Sequence, residues 1–513
     1  MDTSSPILPP YAVECVLGLV SVALLYYFAY SPFNYWKKRG VAQIDVQYPF
    51  IGNALKTFLT PIHISRQWGY KEFPNERFVG TYDNRKPTLL IRDPDLIESV
   101  LIKDFSHLSD RTNRDDPNAK MAKNLLNLTG DQWKHYRNKL TPTFSTGKLK
   151  GMHSQLTDCG NSLIKFMKSL DDGRPFEVRD VIQRFTMDVI ASCAFGLNID
   201  TINDPDSEFR KAGQAIFKPT LWGKIVFGLR LRPLIRKITQ ITKFNLFQNS
   251  KVGQFFSDAI DTTIEHRKKN NLTRHDFLHL MNELMEKDKA DPNNPFPFDH
   301  NALVSNAFVF FLAGFETTAT TVSYAMYLLA LNEDAQEKAY QEVSRVLKKH
   351  GGEASFNAIQ EMEYLEQVIS ETLRIYPPAV ALSRAVTKPY EVPGTSGLVL
   401  PAGSTINIPT YALHHDPQYF PEPEKFIPER FDESNNSIRK GTYLPFGGGP
   451  RICIGARFAK MEAAVCLAML IQNDHIAKCS QTKIPLDFDQ RSFLLVPKGG
   501  IWLTVRPRAA AAS

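Results

Sequence analysis

Sulfur is scarce and unpatterned in this chain. Six cysteines stand among 513 residues with no Cys-x-x-Cys pair, which excludes a disulfide framework and points to a reducing compartment. No Gly-x-Gly-x-x-Gly precedes a helical stretch, so the sequence carries no flavin or nicotinamide motif. It also lacks a long basic tract and a base-stacking motif, so nucleic acid is a poor partner despite a net charge of +7. That modest charge suits an acidic protein partner or an anionic membrane surface. The rest is an ordinary globular composition, 43% hydrophobic and 22% charged, with enough apolar residues for a substantial core.

Charge itself is missing from Cys15 to Trp36, 22 residues bounded by Glu14 and by Lys37-Lys38-Arg39. As helix that is about 33 Å, enough for a hydrocarbon core of about 30 Å. Pro32 falls where it would kink or end the helix early, and Tyr26, Tyr27 and Tyr30 suit the interface. The basic cluster follows the span, so everything after Arg39 is expected in the cytosol, as a single-pass anchor. A cleaved signal peptide would want a basic start and a small-residue cleavage site. Phe78–Tyr82 and Pro87–Arg92 read as paired strands around an Asn84-Arg85-Lys86 turn, and 110–124 as a loop. The stretch 209–247 mixes aromatic and basic residues and suits either core packing or the membrane surface.

Proline is absent from Asn301 to Leu331, where apolar residues occupy nearly all faces. The spacing predicts one helix of about 46 Å, long enough to cross a whole domain. A membrane span is disfavoured because Glu316 and several threonines sit at its centre. The run Ala313-Gly314-Phe315-Glu316-Thr317-Thr318 breaks helix propensity there, by about 1 kcal/mol for the glycine alone. Functionally, Gly314 would admit a flat ligand, Thr317 would bond an upstream carbonyl or dioxygen, and Glu316 would relay protons from solvent. Further on, Glu371 and Arg374 stand three apart on an apolar helix, with Arg430 in Pro-Glu-Arg-Phe431. Ten prolines between Pro377 and Pro428 then rule out any long helix.

The most specific stretch is Phe446-Gly447-Gly448-Gly449-Pro450-Arg451-Ile452-Cys453-Ile454-Gly455. Three glycines and a proline cannot run on as helix or strand, so the loop is shaped by what it encloses. Cys453 lies just before helical composition resumes at Ala456, where the dipole favours thiolate. Five fixed positions within ten residues, Phe-x-x-Gly-x-Arg-x-Cys-x-Gly, match the haem-thiolate signature that the sequence shares with the cytochromes P450. The resemblance extends from Trp133 to Gly455 in hallmarks and more softly over nearly the whole chain. Leu140–Lys148 and Ser192–Leu197 look most like the insect microsomal, xenobiotic-metabolising branch.

What the resemblance implies is a mainly helical fold with a smaller β-rich part and haem b (iron protoporphyrin IX) between the central helix and the cysteine loop. Cys453 would be the axial metal ligand, with Phe446 and Gly314 against the cofactor. Trp133, Arg137, Arg384 and Arg451 would bind its propionates, arginine being able to donate two parallel bonds to a carboxylate. Glu316 and Thr317 match the family's acid–alcohol pair, and Glu371, Arg374 and Arg430 its structural ion network. Substrate contacts would come from Ala313, Phe315, Val380, Leu382, Phe493 and Leu494, beneath a roof formed by 209–247. The expected organisation is an anchor (1–39), a hinge (40–53) that keeps only Pro49 of the family's usual prolines, one catalytic domain (54–508) and a tail (509–513).

The implied reaction inserts one oxygen atom of O2 into lipophilic small molecules such as plant toxins or insecticides. Electrons would come from an NADPH-cytochrome P450 reductase on a basic face near Lys134, Lys139 and Lys460, with cytochrome b5 as a second donor, at the endoplasmic reticulum membrane. Hormone or fatty-acid hydroxylation stays open. So does a non-catalytic haem sensor, which would need no proton relay, and an isomerase working on peroxides, which would need no reductase.

Overall fold

A computed structural model describes residues 10–83, 85–111, 123–170, 173–217, 251–435, 438–490, 492 and 494–508. Residues 218–247 of the roof expected at 209–247, most of the loop at 110–124 and Phe493 lie outside the described residues.

The central helix runs His300–Leu331, and its Asp299 cap accepts the Ala302 N–H at 2.8 Å. Nearly all its faces are buried, as its unbroken apolar composition requires. Its polar residues are tolerated because their hydroxyls bond back to the preceding turn: Thr320 to the Glu316 carbonyl at 2.7 Å, Thr321 to Thr317 at 2.9 Å and Ser323 to Ala319 at 2.7 Å. The helix Val178–Ile190 packs along it, tied by the Thr186 hydroxyl donating to the Phe315 carbonyl at 3.0 Å. Phe195, Phe209, Phe256 and Phe311 interlock edge to face beside that contact.

The smaller part is a four-stranded sheet in the order Phe78–Asp83, Lys86–Ile91, Thr405–Ile408, Leu382–Ala385. The outer pairs are antiparallel and the middle pair parallel, with Leu89 opposite Ile406 and Arg384 opposite Ile406 on its other side. This sheet has its own apolar core, separate from the helical one. Phe176–Glu177, Trp502–Pro507 and Asp474–Lys478 form a second sheet.

The N-terminal helix, Pro10–Tyr30, stops before Pro32, and the uncharged stretch to Trp36 is not one span. Its last residues belong to the sheet core. Trp36 is 1% exposed, donates from Nε1 to the Thr81 carbonyl at 3.0 Å, and fills the space where Gly80 would carry a Cβ. Tyr82 donates its hydroxyl to the Phe33 carbonyl at 2.7 Å. Burying a Trp and a Phe yields several kcal/mol, more than the same rings gain near the headgroups, so the domain captures them. The expected hinge is pinned as well: Val41 and Ile44 are buried, and Gly80 exchanges main-chain bonds with Ala42 (2.7 Å) and Ile44 (3.1 Å).

Candidate haem-thiolate site

The cysteine loop is held by its own backbone. Gly447 and Gly449 both take positive φ, 78° and 67°, and at Gly449 a Cβ would lie 1.8 Å from the Leu101 carbonyl oxygen. Only glycine fits there. The Cys453 N–H donates to the Phe446 carbonyl at 2.9 Å, closing the loop three residues before the helix Ala456–Asn473. Phe446 itself packs half-buried on the helical core. Cys453 is open to solvent-sized probes yet crowded by protein, and that burial raises its thiol above the ordinary value; the Gly455 N–H, Arg111 and Arg137 pull it back part of the way. Dehydration therefore outweighs the favourable dipole, and ionising this sulfur takes a cation against it.

Around the cysteine stand four guanidinium groups. Arg451 is saturated, donating to Ser109 (2.8 Å) and Leu128 (2.9 Å) carbonyls, lying 3.5 Å from Asp110 and stacking 3.9 Å over the Trp133 ring. Trp133 thus acts by shielding Arg451. Arg137 is fixed by the Ile452 carbonyl at 2.8 Å. Arg384 is buried, and among the described residues it bonds only the Ser383 carbonyl at 2.9 Å and leaves Nε without a partner. The fourth, Arg111, carries no motif and was not anticipated; its signal was only its place within the polar 110–124 loop. Burial first, and then the charge of Arg111, lowers the pKa of Arg451 to about 9 and of Arg384 to about 10. Among the described residues Asp110 is the one carboxylate bridged to this group. Such an excess of dehydrated cations is stable only against added negative charge, and two carboxylates on one ligand supply it. The donor set fits a planar iron macrocycle bearing two propionates, with Cys453 for the metal.

On the central helix the expected residues divide between two faces. Ala313 is exposed and Thr317 half-buried, four apart, and Thr317 donates its hydroxyl to the Ala313 carbonyl. Phe315 points away, 1% exposed and stacked on Phe311, so it is core rather than pocket lining. Gly314 faces the helix Val178–Ile190: a Cβ would meet Ile190 at 2.9 Å, so this glycine admits a neighbouring helix, not a flat ligand. Glu316 is 2% exposed and does not reach solvent itself. Its carboxylate is gripped by Arg179 and by Gln183 at 2.8 Å, neither of them expected from the sequence. Two residues further on, Thr318 lies against Glu462, whose carboxyl burial drives well above the ordinary range.

Behind the loop, Glu371 accepts from Arg374 Nε (2.7 Å) and Nη2 (2.8 Å), from the Ile427 N–H (3.0 Å) and from Arg430 Nε (3.3 Å). Arg374 spends its remaining donors on the His414 and Lys425 carbonyls, at 2.8 and 3.2 Å. Of the other expected pocket residues, Val380 and Leu494 are core, 2% and 7% exposed. Leu382 is half-buried and lies 3.8 Å from where Gly447 would carry a Cβ, directly over the loop. Two lysines of the expected docking face are already neutralised: Lys139 pairs with Asp288 and Lys460 with Glu366. Lys134 stays exposed, and so does Ile452 on the loop's outer side.

A single cysteine on a rigid loop, unbalanced arginines beside it and a hydroxyl-bearing helix define a haem-thiolate oxidoreductase in a mainly helical fold. The sequence profile of the family described as Cytochrome P450 matches residues 45–504, and the chain belongs to that family. It is 37% identical to the probable cytochrome P450 6a20 of Drosophila melanogaster, over 96% of this chain and 99% of that one. It is 36% identical to cytochrome P450 6a2 of the same fly (94% and 97% covered) and 35% identical to cytochrome P450 6j1 of Blattella germanica (94% and 95%). The protein is a haem-thiolate monooxygenase with iron protoporphyrin IX as its cofactor.

Proposed function

We propose that the enzyme oxidises foreign lipophilic compounds at the endoplasmic reticulum membrane, drawing electrons from an NADPH-dependent flavoprotein reductase. The observation that carries the substrate class is the character of the accessible residues on the central helix and over the cysteine loop. Ala313 and Leu382 are apolar, Arg451 is spent on carbonyls and Asp110, and Arg384 would be spent on a cofactor carboxylate. Such a surface selects by shape and dehydration and separates similar apolar molecules weakly.

Bound haem supplies the electron transfer to O2 and the oxygen insertion. The protein's share is positioning and protons. Cys453 would hold the iron and Arg111, Arg137 and Arg384 would take the propionates, while Arg451 with Trp133 stiffens the loop. Thr317 presents a hydroxyl on the accessible face, and its sequence neighbour Glu316, on another face, is an acid that Arg179 connects to the surface. A sensor has no use for that pair, and this favours turnover over sensing. Reductase docking falls to Lys134 and the exposed Ile452, since Lys139 and Lys460 are paired internally.

Reconstitution with reductase, NADPH and a mixed panel of plant toxins, insecticides, steroids and fatty acids tests the reading. Broad, slow oxidation of many apolar compounds is expected. Efficient turnover of one hormone or fatty acid alone would replace it. The topology is checked at the sequons beginning at Asn127, Asn271 and Asn435, which stay unglycosylated if the domain is cytosolic.

A further inference from the structure

His414 ends the short helix Thr410–His414 and is fully buried. Two hydrogen bonds fix the state of its ring. The Leu444 main-chain N–H can only donate, and it meets Nε2 at 2.9 Å. The Arg374 carbonyl can only accept, and it lies 3.1 Å from Nδ1. The proton is therefore on Nδ1 and the lone pair on Nε2, and the other neutral tautomer serves neither bond. Arg374 answers with Nη1 donating to the His414 carbonyl at 2.8 Å, and Tyr443 stacks on the ring with centroids 5.3 Å apart.

Leu444 is the first residue of the turn that leads into the cysteine loop. Its carbonyl accepts from Gly447 at 3.0 Å, and two residues on the Phe446 carbonyl accepts from Cys453 at 2.9 Å. Other hydrogen bonds of the Glu371 network end on Glu422, Lys425 and Ile427, in the proline-rich segment. His414 is the link that carries the network on to residues 444–453.

We propose that His414 is the positioning residue through which the Glu371 network holds the cysteine loop in the geometry for thiolate ligation. The proposal rests on Cys453 being the iron ligand. Glutamine at 414 reaches the place of Nε2 and can accept from Leu444, whereas asparagine reaches only the place of Nδ1 and serves the Arg374 carbonyl. Holoenzyme carrying His414→Gln should keep the wild-type share of thiolate-ligated species in the reduced, carbon monoxide-bound spectrum. His414→Asn, at equal haem content, should shift roughly half or more to the thiol-ligated form, since one buried donor loses its acceptor. Amide exchange at Leu444 should accelerate about tenfold in the Asn variant and stay within about twofold in the Gln variant. Equal thiolate shares in the two variants, high or low, or unchanged Leu444 exchange in His414→Asn, would overturn the proposal. Cys453→Ala measured alongside separates this from the ligand assignment, which fails if that variant keeps the thiolate band.

Discussion

Two buried glutamates in this enzyme are held by arginine and are built for opposite ends. Glu371 has four donors, and both it and Arg374 are wholly inaccessible. Glu316 is as deeply buried, but its Arg179 keeps 22% of its side chain accessible and has an unpartnered Nε. Saturation decides the role. A carboxylate whose lone pairs are all taken, inside a sealed shell, cannot change protonation without breaking the shell. One whose partner touches water can lend itself to proton traffic.

Removing Glu371 is the most damaging way to test that difference. Glu371→Gln leaves Arg374 and Arg430 facing each other without a full counter-charge, at a cost of about 3–5 kcal/mol. Little haem-loaded protein should be recovered, measured as haem per polypeptide. Pairing it with Arg374→Met should recover part of the loss, because the uncompensated charge goes with its partner. Glu316→Gln should behave otherwise. The fold and haem content should survive, while product formation falls on the order of 10²-fold, a typical share for a lost proton-transfer group. Loss of haem in Glu316→Gln would erase the distinction. Thr317→Ala should retain haem and reductase-driven NADPH use but divert it to peroxide or water, and full coupling in that variant would remove Thr317 from the relay.

Arg111 sharpens the comparison from the other side, as a guanidinium awaiting a carboxylate. It bonds the Arg451 carbonyl at 3.3 Å, and burial lowers its pKa while Cys453 offsets this. Arg111→Met removes a charge-assisted bond to a propionate, so haem affinity should fall by about 1.5–3 kcal/mol. Competition for haem by an excess of apomyoglobin reads this directly. The same substitution at Arg451 should damage folding as well as affinity, given its bonds to the Ser109 and Leu128 carbonyls.

What could be read from the sequence was whatever is local. The cysteine loop, the central helix to within one residue, and the Glu371–Arg374 spacing all depend on neighbours in the chain. Phe315, expected in the pocket, turns to the core, and the spacing held that answer: Phe311 and Phe315 are four apart on one face, while Ala313 and Thr317 are four apart on another. Partners from distant segments were not. Arg179 and Gln183 reach Glu316 across 137 and 133 residues, from a helix whose pattern is merely amphipathic. Asp288 and Glu366 cancel Lys139 and Lys460 in the same non-local way. Trp36 was hidden for a different reason, since an apolar residue at the end of an apolar run reads identically whether lipid or a sheet receives it.

The smallest effect tests whether the sealed shell extends to His414. Burial, His415 and Arg374 lower its pKa from 6.5 to about 3, and Tyr443, Phe420 and Leu444 close the rest of the ring's surroundings. In the unfolded chain the same ring takes a proton near pH 6.5. Above that value both states are neutral and pH has no leverage through this group. Below it the unfolded state binds a proton that the folded state refuses, so stability drains as pH falls from 6.5 towards 3. At about one unit below 6.5 the loss is about 1.4 kcal/mol. His63 and His415, lowered to about 4 and about 3, add losses of the same sign, so wild type alone cannot apportion them. The difference between wild type and His414→Gln can. Denaturant midpoints for haem release, taken at neutral pH and about one unit below 6.5, should shift less in the variant by that amount. An equal shift in both would mean that the ring is already protonated in the fold or reaches water, and the sealed shell would then end at Arg374.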